Sequence, residues 1–234
     1  YYIMNFTTIL IWTVIVVVIY FIIRYLMLSD NLSSLESAKN EQKISSTSLV
    51  QNENAANFTY SIWFYINDWN YRYGEEKIIY ARLDENNEPS PSVSLDSLQN
   101  DVLIKMSTYP SSDKEMTSMH TCRVKNVPIQ KWVNLIVSVY GRSLDVYIDG
   151  KLVRTCILPG VPKVVNEKDL FITPNGGFSG FTSKFAYFKE ASNPQQAWNI
   201  YKKGYGSAIF SVFDKYRVDV SFFANNEKQG SFSI

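Results

Sequence analysis

The sequence predicts a mainly β protein: one antiparallel sandwich preceded by a single apolar helix. Three observations carry that expectation. The first 28 residues hold one charged side chain, Arg24. From Phe58 onward, apolar and polar residues alternate with a period of two, as a half-buried strand requires. Tight-turn dipeptides such as Asp149-Gly150 separate these runs, and only one later segment has helix caps.

The opening segment YYIMNFTTILIWTVIVVVIYFII is followed by Arg24 and then YLML. A helix rises ~1.5 Å per residue, so Ile3 to Leu28 reaches ~39 Å, enough for a ~30 Å hydrocarbon layer. Residues 1–28 are therefore expected to span a membrane. Tyr1, Tyr2 and Tyr25 stand where interfacial aromatics belong, and Arg24 can extend its charge to the same interface. Thr7, Thr8 and Thr13 can bond back to helix carbonyls. A signal peptide would show a basic start and a shorter apolar core.

Residues 29–57 (SDNLSSLESAKNEQKISSTSLVQNENAAN) contain no aromatic residue and are rich in Ser, Asn, Gln, Glu and Lys. Such a stretch buries too little apolar surface to offset its ordering entropy, and reads as a polar tether. Residues 58–234 are expected to form the sandwich. In FTYSIWFYIN, Phe58, Tyr60, Ile62, Phe64 and Ile66 alternate with Thr59, Ser61, Trp63, Tyr65 and Asn67. KIIYARL and DVLIKMSTY read as strands around a Pro/Ser/Asn loop at 84–100. Val133, Val137, Val146 and Ile148 belong to the core of a following meander. Asn193-Pro194 caps and opens the one helix, QQAWNIYKKG, which ends at Gly204. YRVDVSFFA and SFSI read as the last strands.

Composition narrows the function. Lys and Arg number 23 against 22 Asp and Glu, so the basic excess of a nucleic-acid surface is missing. Aromatics reach 15% of residues, which suits strands. Two cysteines are too few for a disulfide framework, and Cys122 and Cys156 read first as small buried strand residues, with one bridge as the alternative.

KWVNLIVSVYGRSLDVYIDGKLV resembles the centre of a laminin G or concanavalin A-like domain: a Trp, a strand, a turn, a second strand, then Asp-Gly-Lys. NGGFSGFTSKFAYFKEASNPQQAWNIYKKG resembles its closing segment. The resemblance implies a jelly-roll sandwich of two antiparallel sheets. The order of apolar helix, polar tether, sandwich and YKKGYG…GSFSI tail is also similar to membrane proteins of nucleocytoplasmic large DNA viruses. That second likeness implies a minor capsid protein that links an internal membrane to the capsid, with the bilayer and capsid proteins as partners.

Catalysis is not expected. Glucanases of this fold carry paired carboxylates on one strand about 5 Å apart. Here Glu75 and Glu76 are adjacent, so on a strand they would point to opposite faces, and Asp145 and Asp149 flank a hairpin strand. His120 stands two residues from Cys122 without a third group to orient it. One His with two Cys is thin for zinc. Asn175-Gly176-Gly177 belongs to the closing segment and is not a phosphate loop. Neither a cofactor nor a metal is expected, with calcium the one candidate by analogy to lectins. Asp68, Trp69, Tyr71 and Tyr73 form an aromatic cluster able to stack on a sugar or anchor a protein partner. Two functions follow: a structural, membrane-anchored module, or a lectin-like glycan receptor.

Lys and Arg near a span favour the cytosolic side. Arg24, and more distantly Lys39 and Lys43, follow the helix. The sandwich is thus expected on the cytosolic, capsid-facing side of a virion's internal membrane. On that side both cysteines would stay reduced, and the sequons Asn31-Leu32-Ser33 and Asn57-Phe58-Thr59 would stay unmodified.

Overall fold

The structure is a computed structural model that describes residues 6–27, 31–49, 56–109, 118–165, 167–206, 219–224 and 227–233, with side chains described for 11–22 and for those between 31 and 206. It divides into two units, Tyr1–Asn31 and Leu32–Ile234.

The first unit holds helix α1, Phe6–Met27. Positions 11–22 are all exposed, among them Trp12, Phe21 and a run of Val and Ile. Those twelve residues rise only ~18 Å, and among the described residues no helix is long and apolar enough to cross a membrane. The expected interface residues Tyr1 and Tyr2 lie outside the described residues. Arg24 and Tyr25 fall on the helix backbone, with their side chains outside the description.

The second unit is built on two six-stranded antiparallel sheets. The first runs, edge to edge, β1 (Glu36–Ser37), β12 (Ser179–Phe188), β3 (Phe58–Asp68), β8 (Trp132–Tyr140), β9 (Ser143–Ile148), β10 (Lys151–Ile157). The second runs β2 (Gln42–Ile44), β11 (Leu170–Ile172), β4 (Lys77–Leu83), β5 (Pro89–Leu95), β6 (Val102–Thr108), β7 (Ser118–Val124). The core lies between them. Val133, Val137 and Val146 are fully buried there, as the alternation requires, and Ile148 packs at its margin. Each such side chain contributes about 1.5–3 kcal/mol by leaving water.

Four expectations need correction. The sandwich begins at residue 32, not 58. Residues 31–49 are woven into it: β1 pairs with β12 and β2 with β11. Three apolar residues in that polar stretch, Ala38, Ile44 and Leu49, are buried, and ladder hydrogen bonds supply the rest. The loop at 84–100 contains β5, which is central. Its prolines hide it, but pairing to β6 starts only at Ser92, so neither Pro89 nor Pro91 interrupts that ladder. The C-terminal strands β13 (Asp219–Ala224) and β14 (Glu227–Ser233) pair with each other as a separate hairpin rather than extending a sheet. Finally, the cysteines are not reduced. Cys122 on edge strand β7 and Cys156 on edge strand β10 form a disulfide with Cα atoms 6.1 Å apart. The bridge joins the two sheets at one side of the sandwich, where both side chains turn inward.

Turn chemistry fixes the rest. Asp149 and Gly150 both have positive φ, 50° and 73°, as a tight hairpin needs. The closing motif Gly177-Phe178-Ser179-Gly180 buries Phe178 and brings backbones together. A Cβ on Gly180 would stand 1.8 Å from the Tyr65 carbonyl oxygen, and one on Gly177 2.2 Å from that of Ala38. Helix α2, Pro194–Lys202, starts with a capping box in which Asn193 and Gln196 exchange side-chain and backbone hydrogen bonds. On the outer face of the first sheet, rings follow one another from Phe181 through Tyr65, Trp132, Tyr205, Trp63 and Tyr201 to Trp198, at centroid spacings of 4.5 to 6.5 Å.

Candidate functional site

Three loops meet at the end of the sandwich where β3 finishes and β8 begins. They are 69–76, 96–101 and 125–131. Gly74 donates its N–H to the Ser97 carbonyl at 3.1 Å, which ties the first loop to the second. Val127 N–H meets the Asn100 carbonyl at 2.7 Å, and Asn100 Nδ2 returns to the Val127 carbonyl at 3.2 Å. Buried Asp101 accepts the Asn126 N–H at 3.0 Å and an Arg123 Nη1–H at 3.0 Å. Gln130 N–H reaches the Ile66 carbonyl at 2.8 Å. Arg72, Asn126 and Gln130 take left-handed backbone, an arrangement that persists only where neighbours over-determine it.

Between the loops lies a cleft of about 510 Å³, lined by Trp69, Leu98, Asn100, Asn126, Ile129 and Lys125 among others. Leu98 is 59% exposed and Ile129 45%, so the cleft offers unburied apolar surface beside the amide residues Gln99, Asn100 and Asn126. It continues through Lys125 and Asn126 into a smaller recess of about 320 Å³, where Arg123 and Arg154 add positive charge.

The Trp69 ring is held from below. Lys77 is buried, and its Nζ stands 4.7 Å from the Trp69 ring centroid. Among the described residues that ammonium has no hydrogen-bond partner, so the ring face is its main contact. Burial pushes the Lys77 pKa down, Arg72 pushes it further, and Glu75 and Asp96 oppose both. Asp96 is held below the usual carboxylate range, first by the Leu98 N–H, against burial, and then by Gln99 N–H and Arg123.

The four residues expected to form the site separate. Trp69 lines the cleft. Asp68 accepts the Asn70 N–H at 2.9 Å and so caps its own turn. Tyr71 points to the closing motif, donating its hydroxyl to the Gly176 carbonyl at 3.1 Å beneath the Lys39 ammonium. Tyr73 stands in solvent at 61% exposure. Leu98, Asn100, Asn126 and Ile129 were not expected. A lone Leu in DSLQND and the turn KNVP were the only signs, and each is local to its own loop.

The carboxylates weighed for catalysis have structural partners. Glu76 binds Lys105 at 2.6 Å, and Glu75 binds Arg72 at 2.7 Å. Asp145 accepts the Thr155 hydroxyl at 2.6 Å, and Asp149 accepts the Asn134 N–H at 3.0 Å. The Cys122 sulfur is bonded to Cys156, so His120 has no thiol beside it to activate. Among the described residues no three His, Cys, Asp or Glu side chains group as a metal site. A second depression of about 570 Å³ lies between α2 and the segment after β12, lined by Phe188, Ile200 and Ser48.

Residues 38–197 match the concanavalin A-like lectin/glucanases superfamily, over more than half of the sequence. The chain belongs to that superfamily. No curated protein matches it. Among solved structures, this concanavalin A-like chain superposes on the binding domain of botulinum neurotoxin serotype D/C with a TM-score of 0.53 at 16% identity, over 72% of this chain and 43% of that one. The botulinum neurotoxin DC binding domain in complex with rat synaptotagmin II gives 0.51 at 17% identity, over 66% and 38%. Botulinum neurotoxin type C, whose uptake depends on interaction with two ganglioside molecules, gives 0.51 at 17% identity, over 66% and 38%. This chain spans less than half the length of those toxin chains, and at such identities the likeness is one of fold.

Proposed function

We propose that the protein is a membrane-anchored, non-catalytic recognition module whose end cleft binds a glycan. The cleft carries this reading. Apolar faces from Trp69, Leu98 and Ile129 suit the C–H face of a sugar ring, and the Asn100 and Asn126 side chains suit its hydroxyls. The three loops are cross-tied before any ligand arrives, so little ordering entropy opposes binding. The superfamily contains lectins, and solved neighbours engage gangliosides and a protein receptor; both support the reading by analogy. The ion-paired carboxylates support the absence of catalysis. Calcium has no place in the proposal.

The anchor in this reading is the apolar N-terminal segment, residues 1–28, whose sequence holds one charge, Arg24. A glycan array probed with the full chain in detergent tests the function. Binding to one glycan class that falls at least tenfold in Trp69→Ala supports it, whereas undiminished binding in that variant overturns the cleft as the site.

A second reading has its own observation. The ring series on the outer face of the first sheet ends in Phe181 and Trp198, 45% and 36% exposed. Such aromatics are typical protein anchors. They fit the structural role implied by the resemblance to large-DNA-virus membrane proteins, with capsid proteins as neighbours on the virion's internal membrane. Cross-linking in membranes that captures one protein through Phe181, with no glycan bound, would replace the first reading with this one.

A further inference from the structure

We infer that Asn57 is an N-glycosylation acceptor, modified because the sandwich folds in an oxidising compartment outside the cytosol. The first observation is the Cys122–Cys156 bridge between the edge strands of the two sheets. Stable disulfides of this kind form in the secretory pathway or outside the cell and are rare in the cytosol. The bridge therefore weighs against the cytosolic side that Arg24 alone suggests. The second is the sequon Asn57-Phe58-Thr59, an acceptor pattern in chains exposed to that pathway.

The third observation is geometric. Asn57 sits at the start of β3. Its Oδ1 accepts the Gly141 N–H at 3.0 Å, at the turn between β8 and β9. Glycosylation uses the other atom: Nδ2 forms a bond to the anomeric carbon of an oligosaccharide carried on a lipid pyrophosphate. The anomeric C–O bond breaks, the lipid pyrophosphate leaves, and the amide gives up one proton. Oδ1 is untouched, so the contact to Gly141 survives. The turn beside it is open, with Tyr140 69% exposed. β3 runs from Asn57 toward Asp68, so the glycan lies at the end of the sandwich opposite the cleft and leaves the cleft clear.

Order of events follows as well. Thr59, whose hydroxyl the transfer requires, is fully buried in the folded sandwich. Its Oγ1 donates to the Glu190 carbonyl at 2.8 Å and accepts the Ser192 N–H at 2.9 Å. The sugar must be added before β3 closes. The sequon at Asn31 begins four residues after Met27, where α1 ends. A helix seated in a bilayer holds Asn31 against the membrane, away from a lumenal transferase, and the third sequon, Asn5-Phe6-Thr7, belongs to the apolar anchor segment itself, so Asn57 is the site.

The test is peptide mapping of the full wild-type chain expressed in insect cells, under non-reducing conditions, after N-glycosidase F in ¹⁸O-water. The expected result is labelled Asp at position 57, unlabelled Asn31, and the linked Cys122–Cys156 peptide. Asn57→Gln should remove one glycan step in gel mobility; the wild-type map stands by itself if that variant misfolds. Bare Asn57 in bridged protein overturns the inference, as does modification confined to Asn31. A glycosylated chain found in the medium would sustain it while removing the anchor from the proposed function.

Discussion

Asp101 shows how single side chains shape the cleft. It is 2% exposed and holds the Asn126 N–H. Asp101→Ala takes away the partner of that part-buried donor and of Arg123, a loss of about 1 kcal/mol. Because the loop it holds carries Asn126 and Ile129, ligand binding should weaken along with stability; urea unfolding beside a glycan titration reads both. Two other aspartates set a pH dependence. Asp96 is held below the usual carboxylate range first by the Leu98 N–H. For Asp84, burial pushes up, but the Glu88 and Asn86 N–H groups and Lys163 together pull it below that range. Folded groups with lowered pKa values release protons more readily than unfolded ones. Their contribution is therefore complete above the unfolded carboxylate range and lost as pH falls through it and below. The urea midpoint should hold from pH 7 to pH 5 and drop at pH 3; an unchanged midpoint at pH 3 would contradict this.

At the scale of elements, glycines decide where backbones can approach. Gly180 lies where β12 crosses the Tyr65 carbonyl, with φ at +158° and an added Cβ only 1.8 Å from that oxygen. Gly180→Ala must push β12 away from β3 and disturb the Phe178 packing beside it. A loss of about 3 kcal/mol or more is expected, measured as the thermal midpoint. Gly74→Ala is the comparison, because a Cβ there meets nothing within 4 Å. Its positive φ still costs about 1 kcal/mol. Equal losses in the two variants would remove close approach as the reason for the closing motif.

For the whole molecule, the bridge between β7 and β10 is the one disulfide among the described residues, and it ties the edges of the two sheets together. It closes a loop of 34 residues in sequence, for which chain entropy gives about 3–4 kcal/mol of stabilisation. The double variant Cys122→Ala/Cys156→Ala should lose that amount and fold to the same sandwich, as judged by far-UV circular dichroism and thermal unfolding. Unchanged stability would show that the core holds the edges together without it.

The sequence by itself determined the sandwich, because strand alternation, the Asp149-Gly150 turn and the Asn193-Pro194 cap are all local signals that neighbours in the chain write and read. It also indicated Trp69, an aromatic residue at a strand end. Only the tertiary structure decided the rest. Residues 31–49 look like a free tether because their three buried apolar residues mean nothing until β11 and β12 provide strands to pair with. β5 is hidden by prolines that the ladder happens to spare. The cleft unites Trp69 with Leu98, Asn126 and Ile129 from three loops, and the disulfide unites residues 34 apart on two sheets. Each of those is a contact between segments distant in sequence, set by how the sheets stack, and no local pattern in the chain encodes it.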